Sequence, residues 1–229
     1  PMRPVSEAVV VDPAGLGAPG PPSARLVLVD RPGAVQSELR VGHVAAARRT
    51  PDYYALRVLN MVLGGQFVSR LNLTLREEKG CTYGVRTAFD FRRAPGPFAM
   101  QGSVQSSATV EALQEVFAQM EAIGGDRPVT VTELDLARAS LTRGFARGLE
   151  TAGQVARGIA RLVLHGLPED YYDRFVAQVE AVDVSAVTAA ATAHLHADSA
   201  VAVIVGPADQ IAPGLGVLNL GDAERVEIK

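Results

Sequence analysis

Arg76 and Tyr83 are the two residues of this sequence whose chemistry and spacing most favour a functional role. Their guanidinium and phenol groups both donate hydrogen bonds. Arg76 is predicted to lie in the last turn of a helix, because Lys79 and Gly80 form a typical helix end: a cation followed by a glycine that can adopt a positive φ. Tyr83 follows on an extended segment, so both side chains can reach one surface. On composition alone, however, a solvated helix end and a sheet tyrosine remain the favoured interpretation.

The helix that carries Arg76 is predicted from the spacing of its apolar residues. Phe67, Leu71 and Leu75 recur every four residues, which places them on one side of a helix. The pair Gly64-Gly65 precedes this segment. A tight turn between two helices is the favoured interpretation of the pair, and a hinge-like entry to the Arg76 helix is the alternative.

The four histidines do not form a zinc-binding motif in the sequence. None stands in an H-E-x-x-H or H-x-x-E-H pattern. His194 and His196 are two positions apart, so on a helix they would point roughly 200° away from each other. His43 is predicted on a strand, either at an edge or hydrogen-bonded within the sheet, and His165 at the end of a helix. The sequence therefore does not predict a zinc site in this chain.

Nucleophilic catalysis is not indicated either. Ser103 follows Gly102 but lacks the second glycine of the G-x-S-x-G elbow. Cys81 is the only cysteine, so no internal disulfide is possible and the compartment stays open. Without a neighbouring histidine, Cys81 is predicted to be a small buried residue and not a nucleophile.

Length and composition indicate a globular domain with a sizeable core. The chain has 229 residues, of which 48% are hydrophobic and 21% charged, and its net charge is −3. With no tryptophan and no basic stripe, a nucleic-acid platform is not expected. No apolar run approaches the 18 residues that suggest a transmembrane helix.

The elements that must position Arg76 and Tyr83 follow from periodicity and turn residues. The predicted strands are a short run at Val9–Val11, then Arg25–Asp30, Gln36–Ala46, Thr82–Phe91, Pro97–Val104 and Ala200–Val205. Besides the Arg76 helix, the predicted helices are Tyr53–Leu63 (capped by Asp52), Val110–Ile123, Thr130–Gly148, Thr151–Leu164, Glu169–Val179 and Ser185–Leu195. Strands come first, helices follow and a last strand returns. This order predicts an α+β fold, an antiparallel sheet covered on one face by helices.

Residues 63–85 resemble a signature of the insulinase/pitrilysin-type zinc peptidases. The segment LGGQFVSRLNLTLREEKGCTYGV fits the pattern LGG-x-F-x-SRLN-x-x-LRE-x-KG-x-x-YG. The resemblance continues through PDYYALRVLN, VTVTELDLAR, GLPEDYYDRF and VAVIVG, in that order along nearly the whole chain. It points to the C-terminal half-domain of the smaller bacterial members, which are similar to the subunits of the mitochondrial processing peptidase.

The resemblance implies a role for both candidate residues. In that family, two α+β halves close as a clam shell around a peptide, and the N-terminal half carries the zinc motif H-x-x-E-H. The C-terminal half supplies an arginine and a tyrosine seven positions apart, which Arg76 and Tyr83 match. The resemblance implies that these residues bind peptide carbonyl oxygens and stabilise an oxyanion. A sheet edge would hold the peptide by strand addition.

This sequence departs from the family on one point, because it contains no H-x-x-E-H. The chain alone is therefore expected to be inactive and to hold no cofactor, with zinc in a partner half. That partner is either another part of the same polypeptide or a separate subunit. Residues 23–229 would form the half-domain, and residues 1–22 an N-terminal strand and a segment rich in proline and glycine.

A second interpretation is a catalytically inactive scaffold or interaction domain with the same fold, as in some relatives within respiratory complexes. Retention of Arg76 and Tyr83 argues mildly against this interpretation. An H-x-x-E-H motif in the sequence preceding Pro1 would favour the peptidase.

Overall fold

A single six-stranded mixed sheet forms the framework of the protein. The computed structural model describes residues 24–226, so the strand predicted at Val9–Val11 and the segment of residues 1–22 lie outside the described part. The strands are β1 (Arg25–Asp30), β2 (Gln36–Val44), β3 (Val85–Phe89), β4 (Pro97–Gln105), β5 (Val201–Gly206) and β6 (Glu224–Val226). They lie in the order β3-β4-β2-β5-β1-β6, and β3 and β6 are the two edges.

The sheet is mostly antiparallel, which confirms the predicted α+β class. β3, β4, β2 and β5 pair antiparallel with one another in turn, and the β3–β4 hairpin was predicted from the turn before Pro97. β1 differs, because it pairs parallel with both β5 and β6. The strand β6 was not predicted.

Side chains that alternate along each strand separate a helix-covered face from an uncovered one. In β2, Leu39 and Val41 are buried against the helices, whereas Glu38 and Arg40 point to the opposite face and are exposed. Gln101 of β4 lies opposite Arg40 and is also exposed. The uncovered face is therefore polar beside β3, which is where Tyr83 enters the sheet.

Eight helices complete the described fold. They are α1 (Tyr53–Asn60), α2 (Arg70–Asn72), α3 (Thr109–Ala122), α4 (Val131–Phe145), α5 (Ala152–His165), α6 (Tyr171–Glu180), α7 (Val184–His194) and α8 (Ala208–Ile211). α1 continues into wider π-helical turns at Met61–Gly65, and α2 at Leu73–Glu78. Short 3₁₀ segments occupy Ser106–Ala108, Ala146–Leu149, Ala197–Ser199 and Ala212–Leu218.

Two predictions about the helical segments were wrong. Asp52 does not cap α1; its carboxylate instead lies 2.8 Å from Nε2 of His194 on α7. Phe67 does not share the buried face of Leu71 and Leu75, because it precedes the start of α2 and is 64% exposed. Both leucines are fully buried, as predicted.

None of the described helices alone is both long and apolar enough to cross a membrane. One pair, Tyr171–Glu180 with Val184–Ser199, reaches that length and composition only when joined across a bend of 102°.

Candidate functional site

Arg76 lies in the π-helical segment that extends α2. The main-chain N–H of Lys79 donates to the carbonyl of Thr74 at 3.0 Å, one residue further back than in an α-helix. Gly80, with φ +60°, ends the segment as predicted. π-Helical turns are rare and often occur at functional sites, since the extra residue redirects the side chains around it.

The guanidinium of Arg76 is held by an aromatic ring. Its central carbon lies 3.6 Å from the centroid of the Phe67 ring, in a cation–π contact. One terminal nitrogen is 3.5 Å from the carboxylate of Glu77. The other, Nη1, is buried and has no hydrogen-bond partner among residues 24–226. Arg76 therefore keeps donor capacity that no described protein group uses.

Tyr83 extends into solvent from a bend just before β3 and is 92% exposed. The prediction of a strand from Thr82 was wrong at this end, because β3 begins only at Val85. The bend is nevertheless fixed by Thr82, whose hydroxyl donates to the carbonyl of Ser103 at 2.6 Å and accepts from the N–H of Gly84 at 3.0 Å. An exposed aromatic side chain thus stands on an anchored backbone.

Asn72 joins the helix of Arg76 to the strand that follows Tyr83. Its buried side-chain amide donates to the carbonyl of Val85 at 3.1 Å, and its Oδ1 accepts from the N–H of Val85 at 2.8 Å. The same amide donates to the carbonyl of Gln66 at 3.0 Å and to Oγ of Ser69 at 3.1 Å. Asn72 therefore ties the helix of Arg76 to the strand after Tyr83, whereas Thr82 fixes the bend that carries the tyrosine.

Arg70 fixes the start of the same helix. It donates to both carboxylate oxygens of Glu133, at 2.6 and 2.8 Å, and to the carbonyls of Arg127 and Pro128. Glu133 also completes the capping box with Thr130 at the start of α4. Although burial opposes it, the hydrogen bonds from Arg70 and Thr130 lower the pKa of Glu133 to about 2.

A groove of about 510 Å³ opens beside Tyr83 on the uncovered face of the sheet. It is lined by Arg40, Gly64, Gly65, Gln66, Phe67, Asn72, Tyr83, Gly84, Val85, Arg86, Gln101, Gly102 and Ser103. Arg76 does not line this groove, but it contacts Phe67, which does. No hydrogen bond joins Arg76 to Tyr83 among the described residues, and the link between them is Phe67, which contacts Arg76 and lines the same groove as Tyr83.

The histidines lie apart from this groove. His43, which the sequence allowed at an edge or within the sheet, lies on the interior strand β2. Its Nδ1 contacts the carbonyl of Val44 at 2.9 Å, and its Nε2 accepts from the N–H of His196 at 3.2 Å. Burial lowers the pKa of His43. This favours the neutral ring, in which both nitrogens have a hydrogen-bond contact. His165 is the last residue of α5, as predicted.

Within residues 24–226, no three side chains of His, Cys, Asp or Glu come together as a metal site. Cys81 is buried, as predicted, and its thiol lies 3.2 Å from the carbonyl of Leu75. Burial raises its pKa, so the thiolate is disfavoured. The described residues therefore do not fit a zinc ion.

Comparison with known proteins identifies the family. Residues 14–141, more than half of the chain, match the Peptidase M16 inactive domain. The chain belongs to this family. Two relatives, from Mycobacterium tuberculosis and Mycobacterium bovis, carry the name uncharacterized zinc protease. Each is 29% identical to this M16 inactive domain over 185 residues. Those residues are 81% of the chain but only 42% of either relative, so the chain spans less than half of their length.

Solved structures show the same fold. The peptidase M16 inactive domain from Pseudomonas fluorescens has a TM-score of 0.75 and 28% identity, over 81% of this chain and 44% of that one. A protease from Helicobacter pylori has a TM-score of 0.71 and 19% identity, over 82% and 45% of the two chains. A chain of complex III from Candida albicans has a TM-score of 0.69 and 13% identity, over 86% and 49%. The chain therefore has the fold of M16 inactive domains.

Proposed function

We propose that this M16 inactive domain is the substrate-binding half of a zinc peptidase, completed by a half that carries H-x-x-E-H. The observation that carries the proposal is Tyr83, a 92% exposed phenol on an anchored bend at the wall of the groove. The names of the mycobacterial relatives support the activity. Their length supports the partner, because the chain spans only 42% of them.

In this proposal, a peptide lies along the groove on the uncovered face of the sheet. The phenol of Tyr83 donates a hydrogen bond to a peptide carbonyl oxygen and strengthens that bond as the oxygen becomes an oxyanion. Arg76 contributes its free donors from beside Phe67, and Arg40 and Arg86 give the groove a positive potential. The chemistry that zinc supplies in such a site is activation of the attacking water.

The test is hydrolysis of a fluorogenic peptide by the chain assembled with its zinc-bearing half. Tyr83→Phe and Arg76→Ala should each lower kcat by about 10²–10³-fold, as for loss of an oxyanion donor, while the two halves still co-purify. Tyr54→Phe and Arg174→Ala, on the helical layer, serve as controls that retain activity. Wild-type turnover in both site variants would refute the assigned role.

The alternative is a scaffold without catalytic function. The shared fold with a chain of complex III from Candida albicans is the observation in its favour, although at 13% identity it concerns the fold alone. The sequence that precedes Pro1, or the neighbouring reading frame, separates the two proposals, because an H-x-x-E-H motif there favours the peptidase and its absence the scaffold. We also propose that residues 23–229 form one half-domain, preceded by a separate segment of residues 1–22.

A further inference from the structure

A second and larger cavity, of about 820 Å³, lies among α1, α4, α5 and α6, away from Arg76 and Tyr83. Its volume falls within the range of about 300–1,000 Å³ that is typical of small-molecule sites. The Phe and Tyr side chains in its wall are Tyr53, Phe89, Phe91, Phe145, Tyr171, Tyr172 and Phe175. Flat apolar surface of this kind favours a ligand with a flat or apolar body.

The charged groups in this wall are almost all positive. They are Arg48, Arg57, Arg157 and Arg161, whereas Asp90 is the one acid. Asp90 is already paired with Arg92. Within the described part of the chain, none of the four arginines forms an ion pair with a carboxylate. The cavity therefore has an excess of positive charge that residues 24–226 do not neutralise.

Arg48 is the clearest case of a cavity arginine that lacks an acceptor. The residue is only 8% exposed, and its Nη2 is buried without a hydrogen-bond partner among residues 24–226. Its guanidinium lies over the Tyr53 ring at 3.4 Å and 5.2 Å from the Tyr171 ring. Stacking covers the face of a guanidinium but leaves its N–H edge unsatisfied, and a buried cation without an acceptor is costly.

Helix α5 brings three more cationic or donor groups to the same wall. Arg157, Arg161 and His165 recur every four residues, so they share one face of the helix. Nδ1 of His165 is also buried without a described partner. Burial and the positive charges of Arg48, Arg161 and Arg93 lower the pKa of His165, in agreement with a positive potential in the cavity.

We propose that this cavity binds a small organic anion that carries two or more carboxylate or phosphate groups on a flat apolar body. The arginine N–H edges match the paired oxygens of such groups, and Arg48 offers a buried donor without a described partner. The aromatic wall then packs against the body of the ligand. This site is independent of the groove at Tyr83, so it stands even if the peptidase proposal fails.

The test is isothermal titration calorimetry of the 229-residue chain with two probes of equal charge. Benzene-1,3,5-tricarboxylate offers an aromatic ring, whereas citrate offers three carboxylates without a ring. We expect one equivalent of the aromatic probe to bind, more tightly than citrate, and both affinities to fall as salt is raised. If neither probe binds, the proposed site is refuted. If the two probes bind with equal affinity, the proposal that the ligand has a flat apolar body is refuted.

Variants locate the binding within the cavity. Arg157→Gln and Arg161→Gln lie on an exposed helix, so both should fold, and each should weaken the aromatic probe about tenfold or more through loss of a charge-assisted hydrogen bond. Arg143→Gln removes an exposed arginine of α4 that does not line the cavity and should leave the affinity unchanged. Equal losses in all three variants would show only a non-specific charge effect and contradict the proposal.

Discussion

Replacement of Asn72 by alanine should destabilise the fold far more than replacement of a comparable asparagine. The side chain of Asn72 is the hydrogen-bond partner of both main-chain groups of Val85, a residue that is only 2% exposed. Without the amide, the N–H and the C=O of Val85 are buried and unsatisfied. Ser69, only 1% exposed, loses a donor as well.

The magnitude follows from these contacts. Each buried polar group left without a partner costs about 1–3 kcal/mol. Two such groups at Val85 therefore give about 2–6 kcal/mol. The carbonyl of Gln66 adds less, because that residue is only half-buried and water can still reach it. For a chain of this length, a loss of about 3 kcal/mol lowers Tm by roughly 6–12 °C.

The assay is urea denaturation of Asn72→Ala, followed by circular dichroism at 222 nm. Asn60→Ala is the matched control, because Asn60 is also helical but its buried Oδ1 has no partner in the described structure. We expect a change within about 1 kcal/mol for the control, since no hydrogen bond of that oxygen is lost. Similar losses in the two variants would show that the bonds to Val85 do not stabilise the fold.

Three further predictions concern other parts of the chain. The pKa of Glu133 is held at about 2, below its value in the unfolded chain, so the wild type should lose about 1–2 kcal/mol of stability as the pH falls from about 4.5 to about 2. In acid-denaturation curves, Glu133→Gln should lack this pH dependence. Gly64→Ala places a Cβ 2.6 Å from Cγ2 of Thr87, so its Tm should fall. An added Thr87→Ala should partly restore the Tm. Gly148→Ala is the control without a clash, because its Cβ would meet no atom within 4 Å. Cys81 is buried, so it should react with a thiol reagent only in urea, and rapid labelling of the native chain would contradict its placement.

Sequence patterns predicted most of the framework because strand and helix periodicity is local. β1 was predicted with its observed bounds, and Gly80 was identified as the end of the Arg76 helix. The four-residue apolar spacing failed at Phe67, because the backbone at Ser69 is extended and separates Phe67 from the helix that starts at Arg70. The short edge strand β6 has three exposed residues and no alternation of buried side chains, so it had no signal.

The hydrogen bonds that position the candidate site could not be predicted, and the reason is different. Asn72 and Thr82 act through hydrogen bonds to residues 13 and 21 positions away, and only the tertiary fold brings these partners together. The same holds for Arg48, whose cavity is formed by four separate helices. The motif in residues 63–85 includes Asn72 but not Thr82, and it does not show which residues position others.

The bonds between Asn72 and Val85 also bear on whether the edge strand β3 can pair with another chain. β3 is an edge strand, and free main-chain groups on an edge are a template for pairing with another chain and for aggregation. At Val85 both of these groups are already occupied by a side chain from the neighbouring helix. A second strand approaching the edge beside Tyr83 would have to displace Asn72 first, so the same amide that ties the helix of Arg76 to the strand also protects the exposed end of the sheet.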